Sequence, residues 1–353
     1  MKIYASKYIN FTKTALKLVR ASRIPKYFSK YSNKIFSNIQ HLVLLFFKQR
    51  ERKDYRSFVE WLKFSKLPGL LRLKRIPHFT TLQKFAKKIK PSLLKKLFRI
   101  NKAIKAAVDS TGFELDSKSY YYRTIWHQQS KNRSFMKLSV SADADTQLVL
   151  RYKLRRKIRH DSLDFKPLLK GLNVSVVLAD KGYDSRDLRK FVLRELEAQP
   201  QIPFRSISGR DGYYQSIAAQ VFDEKVYHQR SKVETIFSVI KRKYGSVLRS
   251  RSFLVQEVEL VCRLAAYNID RMVNLFLFLI KGFYRARKIS MIWQNTPYVW
   301  LFYYKGSNFR LRSCQMEFLL ILRLSFPLLR PHTLHCRTTA PKPGCRQQAF
   351  QIP

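Results

Sequence analysis

Acidic residues are scarce in this chain: 23 Asp and Glu stand against 70 Lys and Arg, a formal net charge of +47. So large an excess goes beyond what solubility requires and points to a polyanionic partner. Nucleic acid fits best, because neutralising phosphates with Lys and Arg releases condensed counterions and gives tight, salt-sensitive binding. Long apolar runs are also missing. Runs such as Leu42 to Phe47 and Leu275 to Ile280 fall far short of the roughly 20 residues a spanning helix needs, which argues against a membrane. Met1 to Gln49 contain no apolar core followed by a small-residue cleavage site, so no secretory signal is read and a cytoplasmic, nucleoid-associated protein is expected. The four cysteines, Cys262, Cys314, Cys336 and Cys345, are too few and too scattered for a disulfide framework, and reduced thiols are expected.

What is present is organised by charge. Before Asp109 the only acids are Glu51, Asp54 and Glu60, and after Arg285 the only one is Glu317. Three regions follow: a basic, aromatic-rich, mainly helical N-terminal region over 1–100, a mixed α/β domain over 101–285, and a basic tail over 286–353. The tail has prolines, scattered aromatics and no clean periodicity, and is assigned no fold. A hydrophobic content of 46% is enough for a real core in about two or three domains. In the first region Phe58, Trp61, Leu62 and Phe64 precede a Leu-Pro-Gly break at Leu67 to Gly69. Phe79, Thr80 and Thr81 then offer a cap for a second helix carrying Leu82, Phe85 and Ile89. This pair reads equally as a helix-turn-helix-like DNA binder and as two ordinary amphipathic helices with a solvated Lys face.

The middle region carries more information. Ile104 to Val108 form an apolar run ending in Asp109 and the turn-forming Ser110, Thr111 and Gly112. Val174 to Ala179 repeat the design before Asp180, Lys181, Gly182 and Tyr183. Two such strands, paired in parallel, put both carboxylates together at their carboxyl ends, where sites in α/β sheets lie. Phe135 to Val140 and Leu148 to Leu154 predict further strands. Asp161 to Leu172 predict a helix with Leu163, Phe165, Leu168 and Leu169 on its apolar side, and Ile202 to Phe204 a short strand. With a final helix from about Glu224 to Tyr244, this order is that of an RNase H-like domain: a mixed central sheet flanked by helices.

On that final helix Tyr227, Arg230, Glu234 and Lys241 sit at offsets that fall within an arc of about 60° at roughly 100° per residue, while Val233, Ile236 and Ile240 point the other way. One face is free to anchor on a sheet and the other presents a carboxylate among cations, as metal-dependent phosphoryl transfer needs. The alternative is a solvated charged face with Arg230 and Glu234 as an ordinary ion pair, worth a few tenths of a kcal/mol.

These four residues match the Tyr-x2-Arg-x3-Glu-x6-Lys signature of prokaryotic insertion-sequence transposases of the DDE type. The blocks Asp109-Ser-Thr-Gly and Ala179-Asp-Lys-Gly-Tyr183 resemble that family's first and second aspartate motifs. The resemblance spans about Ile76 to Met272 and includes His160-Asp161, a dipeptide given no chemistry here; the segment after Arg285 departs from it. It implies a catalytic and metal-binding trio of Asp109, Asp180 and Glu234 holding two Mg²⁺ or Mn²⁺ ions, with Asp109 shared between them. Hard cations of that kind prefer carboxylate oxygens and can bridge phosphates. It also implies DNA contacts from Tyr227, Arg230 and Lys241, double-stranded DNA bearing terminal inverted repeats and a target as partners, and at least a homodimer in the DNA complex.

Other residues receive plainer readings. Asp143 and Asp145 are read as solvated acids in a turn. His332, His335, Cys336 and Cys345 lack a usual zinc spacing. Tyr120, Tyr121, Tyr122 and Trp126 suit core or sheet packing better than base stacking. A nuclease that cuts without joining, a decayed transposase and a non-catalytic DNA-binding protein remain alternatives, and the last leaves the spacing of the three acids unexplained.

Overall fold

The structure is a computed structural model that describes residues 6–98, 100–115, 135–156, 159–205 and 212–294. The aromatics noted at 120–126 and the His and Cys residues noted in the tail lie outside the described residues.

The N-terminal helices begin at polar caps. Ser6 caps α1 (Lys7–Ala21) through the Tyr8 N–H. Ser37 and Gln40 form a reciprocal capping box at α2 (Asn38–Arg50), and Asp54 accepts from the Ser57 N–H at 2.6 Å to start α3 (Tyr55–Phe64). The apolar run Leu42 to Phe47 is buried on every side of α2, as expected of a helix packed all round. Within it, Phe47 meets the Phe11 ring edge-on and stacks with Trp61, which in turn stacks with Phe58. The cap of α4 (Phe79–Lys88) is His78, whose ring nitrogen accepts from the Thr80 N–H, so Phe79 and the two threonines lie inside the helix instead of capping it. Leu82, Phe85 and Ile89 are buried as expected, whereas Phe64 is 90% exposed: it ends α3 and is turned away from the face that buries Phe58 and Leu62.

The sheet has the order β3-β2-β1-β4-β5, with β6 joined to the far end of β1. Its strands are β1 (Lys102–Leu115), β2 (Phe135–Asp143), β3 (Val149–Arg155), β4 (Asn173–Ala179), β5 (Gln199–Gln201) and β6 (Val247–Leu248). The first three strands are antiparallel neighbours, and β4, β5 and β6 join in parallel. This is the RNase H-like arrangement. Helices α5 (Ser162–Leu169), α6 (Arg186–Lys190), α7 (Tyr213–Gln220), α8 (Ser231–Tyr244) and α9 (Phe253–Gln294) complete the fold. No helix among the described residues is long and apolar enough to cross a membrane.

Alternation along the strands divides the core in two. Ala106, Val108, Val177 and Ala179 pack with Phe165, Leu168 and Leu169 of α5. Ala107, Leu178, Leu138 and Val140 face the other way, into a cluster shared with α8, α9 and the N-terminal helices. That second cluster is continuous from Phe11 to Ile269.

Several local expectations are corrected. Asp109 does not end its strand: Ser110, Thr111 and Gly112 continue β1 against β2, with Gly112 opposite Lys137. A side chain at Gly112 would meet the Phe135 ring at 3.3 Å, so this glycine serves a close approach and not a turn. Leu163 is 48% exposed, because on α5 (Ser162–Leu169) it falls on the side opposite Phe165, Leu168 and Leu169; Asp164 is buried instead. The short strand lies at Gln199–Gln201, just before Ile202 to Phe204. It is an edge strand, where the missing N–H of Pro200 is tolerated. Asp143 is buried and accepts from the Thr146 hydroxyl at 2.5 Å and the Asp145 N–H at 3.1 Å. Burial pushes its carboxyl above the usual range. Only Asp145 is partly solvated, within 4 Å of both Lys105 and Lys232.

Candidate active site

The parallel register of β1 and β4 pairs Val108 with Ala179. The next residues are Asp109, still within β1, and Asp180, just past the end of β4, so both carboxylates lie where the parallel pairing stops. Alternation places both on the face of Ala107 and Leu178, toward α8. The sheet therefore delivers two carboxylates to one helix, as the two apolar runs predict.

The region from Glu224 to Tyr244 is not one helix. A turn at Glu224–Tyr227 is followed by a 3₁₀ turn at His228–Arg230, and α8 begins at Ser231. The change of pitch breaks the single 60° arc. It also packs the 3₁₀ turn against β4 and swings Arg230 between the acids. Its guanidinium lies 2.7 Å from Glu234 Oε1 and 3.5 Å from Asp109 Oδ2. Val233, Ile236 and Ile240 are buried on the sheet side as expected, leaving Glu234 in the first turn of α8 with its side chain 56% exposed. A carboxylate in a first helical turn also gains from the helix dipole.

The electrostatics follow from this geometry. Burial pushes the Asp109 carboxyl above the usual range; the Ser110 N–H at 2.8 Å and Arg230 oppose the rise, while Glu234 and Asp180 add to it. Burial works against the charge on Arg230, yet Asp180, Tyr227, Glu234 and Asp109 together hold its guanidinium above its ordinary value. The ordinary ion pair weighed from sequence is thus present, but it forms part of a four-charge cluster.

Lys241 is not gathered with the acids. Its ammonium sits 5.6 Å above the Phe113 ring, four residues beyond Asp109 on β1, within cation–π range. Tyr227 packs beside Phe222 and His228. Asp161, given no chemistry from sequence, accepts from the Ser110 hydroxyl at 2.6 Å and pairs with Lys137. It thereby fixes the residue whose N–H holds Asp109. Only the dipeptide His160-Asp161 hinted at this, since the contact spans about fifty residues of chain.

Carboxylate oxygens are the donors a hard divalent cation prefers, so Asp109, Asp180 and Glu234 fit such an ion in chemistry. Among the described residues, no three Asp, Glu, His or Cys side chains already converge as a metal cage. The positive charge between Asp109 and Glu234 is instead the Arg230 guanidinium.

No curated protein matches the sequence. Among solved structures the chain is similar to a piggyBac transposase in a synaptic complex with hairpin DNA, at 12% identity and a TM-score of 0.42, over 84% of each chain. Residues 101–269, just under half of the chain and running from the approach to β1 into α9 through all three carboxylates, match the family model described as the transposase DDE domain.

Proposed function

We propose that this chain is a transposase that cuts DNA at insertion-sequence ends and transfers the strands into target DNA. The observation that supports this reading best is the parallel pairing of β1 with β4 up to Val108 and Ala179, which brings the next residues, Asp109 and Asp180, to one end of the pairing, on the side of an α8 whose first turn holds Glu234. Asp109, Asp180 and Glu234 would hold the Mg²⁺ or Mn²⁺ ions, two in number, that such a reaction uses. Such ions supply activation of the attacking oxygen and stabilisation of the leaving one.

In the first step water attacks a phosphodiester, the bond from phosphorus to the 3′ oxygen breaks, and that oxygen leaves as a hydroxyl. The 3′ hydroxyl then attacks a target phosphodiester and displaces a second 3′ oxygen, so bonds are exchanged without an external energy source. Arg230 balances the acids and is close enough to meet a phosphate oxygen beside them. Lys241, lying farther along α8, suits the flanking backbone, and Tyr227 suits positioning of the strand. The basic helices of region 1–100 grip the duplex. Two element ends must be handled together, which calls for at least a homodimer on DNA.

The test is strand joining. Full-length protein with Mg²⁺ and DNA carrying the flanking inverted repeats is expected to release 3′ hydroxyl ends and to link them to a second duplex. Cutting with no joined product under any end sequence would reduce the reading to a nuclease.

A further inference from the structure

A cavity of about 130 Å³ lies away from the carboxylates, between the end of α2, the loop after α8 and the start of α9. Its lining sets Lys48, Arg52, Lys53, Arg249 and Arg263 around the single carboxylate Glu259. That carboxylate is already engaged by the Arg249 N–H, the Ser250 N–H and hydroxyl, and the Arg263 guanidinium. Arg263 in turn donates to the carbonyls of Gly245 at 2.7 Å and Val247 at 2.8 Å. The Glu259–Arg263 pair therefore closes on itself and leaves the other four cations in excess.

Lys48 is the most confined of these, only 9% exposed, with its ammonium 4.3 Å from the Tyr55 ring. Burial pushes this ammonium below its ordinary value; Glu259 opposes the shift, and Arg263 and Arg249 add to it. The Asp54 carboxylate, which caps α3 through the Ser57 N–H, also feels the Lys48 charge but does not line the pocket. Holding a desolvated cation among other cations is costly unless an anion completes the site. Gly245, at φ +101°, takes a backbone conformation that favours glycine and forms one wall of the pocket beside Arg263 and Arg52. Eleven residues of α8 and its cap separate Glu234 from Gly245, roughly 16 Å at 1.5 Å per residue. That is about five base-pair steps at 3.4 Å each.

We propose that this pocket seats a backbone phosphate of DNA lying along α8, gripped by Lys48, Arg52, Lys53 and Arg249. The proposal rests on the DNA-binding part of the function above and not on its chemistry.

The test measures duplex binding by the full chain over a range of salt, for wild type, Lys48→Met and the rim variant Lys53→Gln/Arg249→Gln. Each variant is expected to bind about tenfold more weakly near 0.1 M salt, and losing one phosphate contact should make the log–log salt slope shallower by about 0.9. In parallel, inorganic phosphate is titrated against thermal unfolding of wild type and Lys48→Met. Unchanged affinity and slope in the rim variant, which leaves the buried lysine in place, overturns the proposal even if Lys48→Met does not fold. Stabilisation by inorganic phosphate that Lys48→Met abolishes, with DNA binding unaltered, assigns the pocket to a free phosphate and also overturns it. A chain that cuts DNA normally while its binding ignores the pocket sinks this inference alone. Pocket-dependent binding by a chain that never cuts sinks only the catalytic reading.

Discussion

Glu234→Gln is expected to slow single-turnover cleavage of end-bearing DNA by at least about 10³-fold, roughly 4 kcal/mol of transition-state stabilisation, while duplex affinity stays within about twofold. The amide keeps the shape of the side chain but not the charge that a hard cation requires. Folding should be indifferent. The Glu234 side chain is 56% exposed, so its pairing with Arg230 contributes no more than an ordinary surface ion pair, about 0–1 kcal/mol. A Glu234→Gln protein that folds, binds and still cuts at more than a tenth of the wild-type rate would remove Glu234 from the catalytic set. Loss of cutting with a matching loss of thermal stability would point to a structural role instead.

The second large effect concerns what ties the N-terminal helices to the sheet domain. Asp270 on α9 collects Arg50 from α2 at 3.2 Å, the Tyr244 hydroxyl from the end of α8 at 2.6 Å, and Lys243. The side chains of Arg50 and Asp270 are only 11% and 12% exposed. Arg50 also lies over the rings of Tyr8 and Phe11, so it cannot swing into water without leaving that stack. Burial, reinforced by the Asp270 charge, pushes the Tyr244 hydroxyl far above its usual range, which keeps it a donor at any working pH. Asp270→Asn leaves a buried guanidinium facing a neutral amide and is expected to cost about 3 kcal/mol, the low end for breaking a buried pair. Urea denaturation should show a lower midpoint with unchanged slope. A loss under about 1 kcal/mol would mean that Glu51, 3.7 Å from Arg50, takes over the pairing.

Much of the site was legible in the sequence because its signals are local. An apolar run that ends in an acid has only to be placed beside a second one for Asp109 and Asp180 to meet, and β-sheet register does that. Glu234 was legible because Val233, Ile236 and Ile240 fix which side of α8 is buried. What failed depended on contacts between distant segments. Ser110 to Gly112 look like a turn until Phe135 of β2 lies against them. The helical periodicity from Glu224 onward hides a 3₁₀ turn that is set by packing on β4. That turn is what moves Arg230 between the acids and leaves Lys241 above Phe113. Asp143 looked solvated because its burial comes from the fold around the β2–β3 turn and not from its neighbours in the chain. The basic pocket was invisible for the same reason, since Lys48 and Arg249 are some two hundred residues apart and nothing in so basic a chain marks those particular cations.

The most direct test of the central claim, that the acids act by holding divalent metal, is metal rescue of Asp109→Cys. A thiolate in place of the carboxylate is a poor ligand for Mg²⁺ and a better one for softer cations. Cleavage of end-bearing DNA by Asp109→Cys is expected to be undetectable with Mg²⁺ and to recover in part with Mn²⁺, while wild type works with either. Equal activity of the variant in both metals, or cutting by wild type after complete removal of divalent ions, would contradict the account.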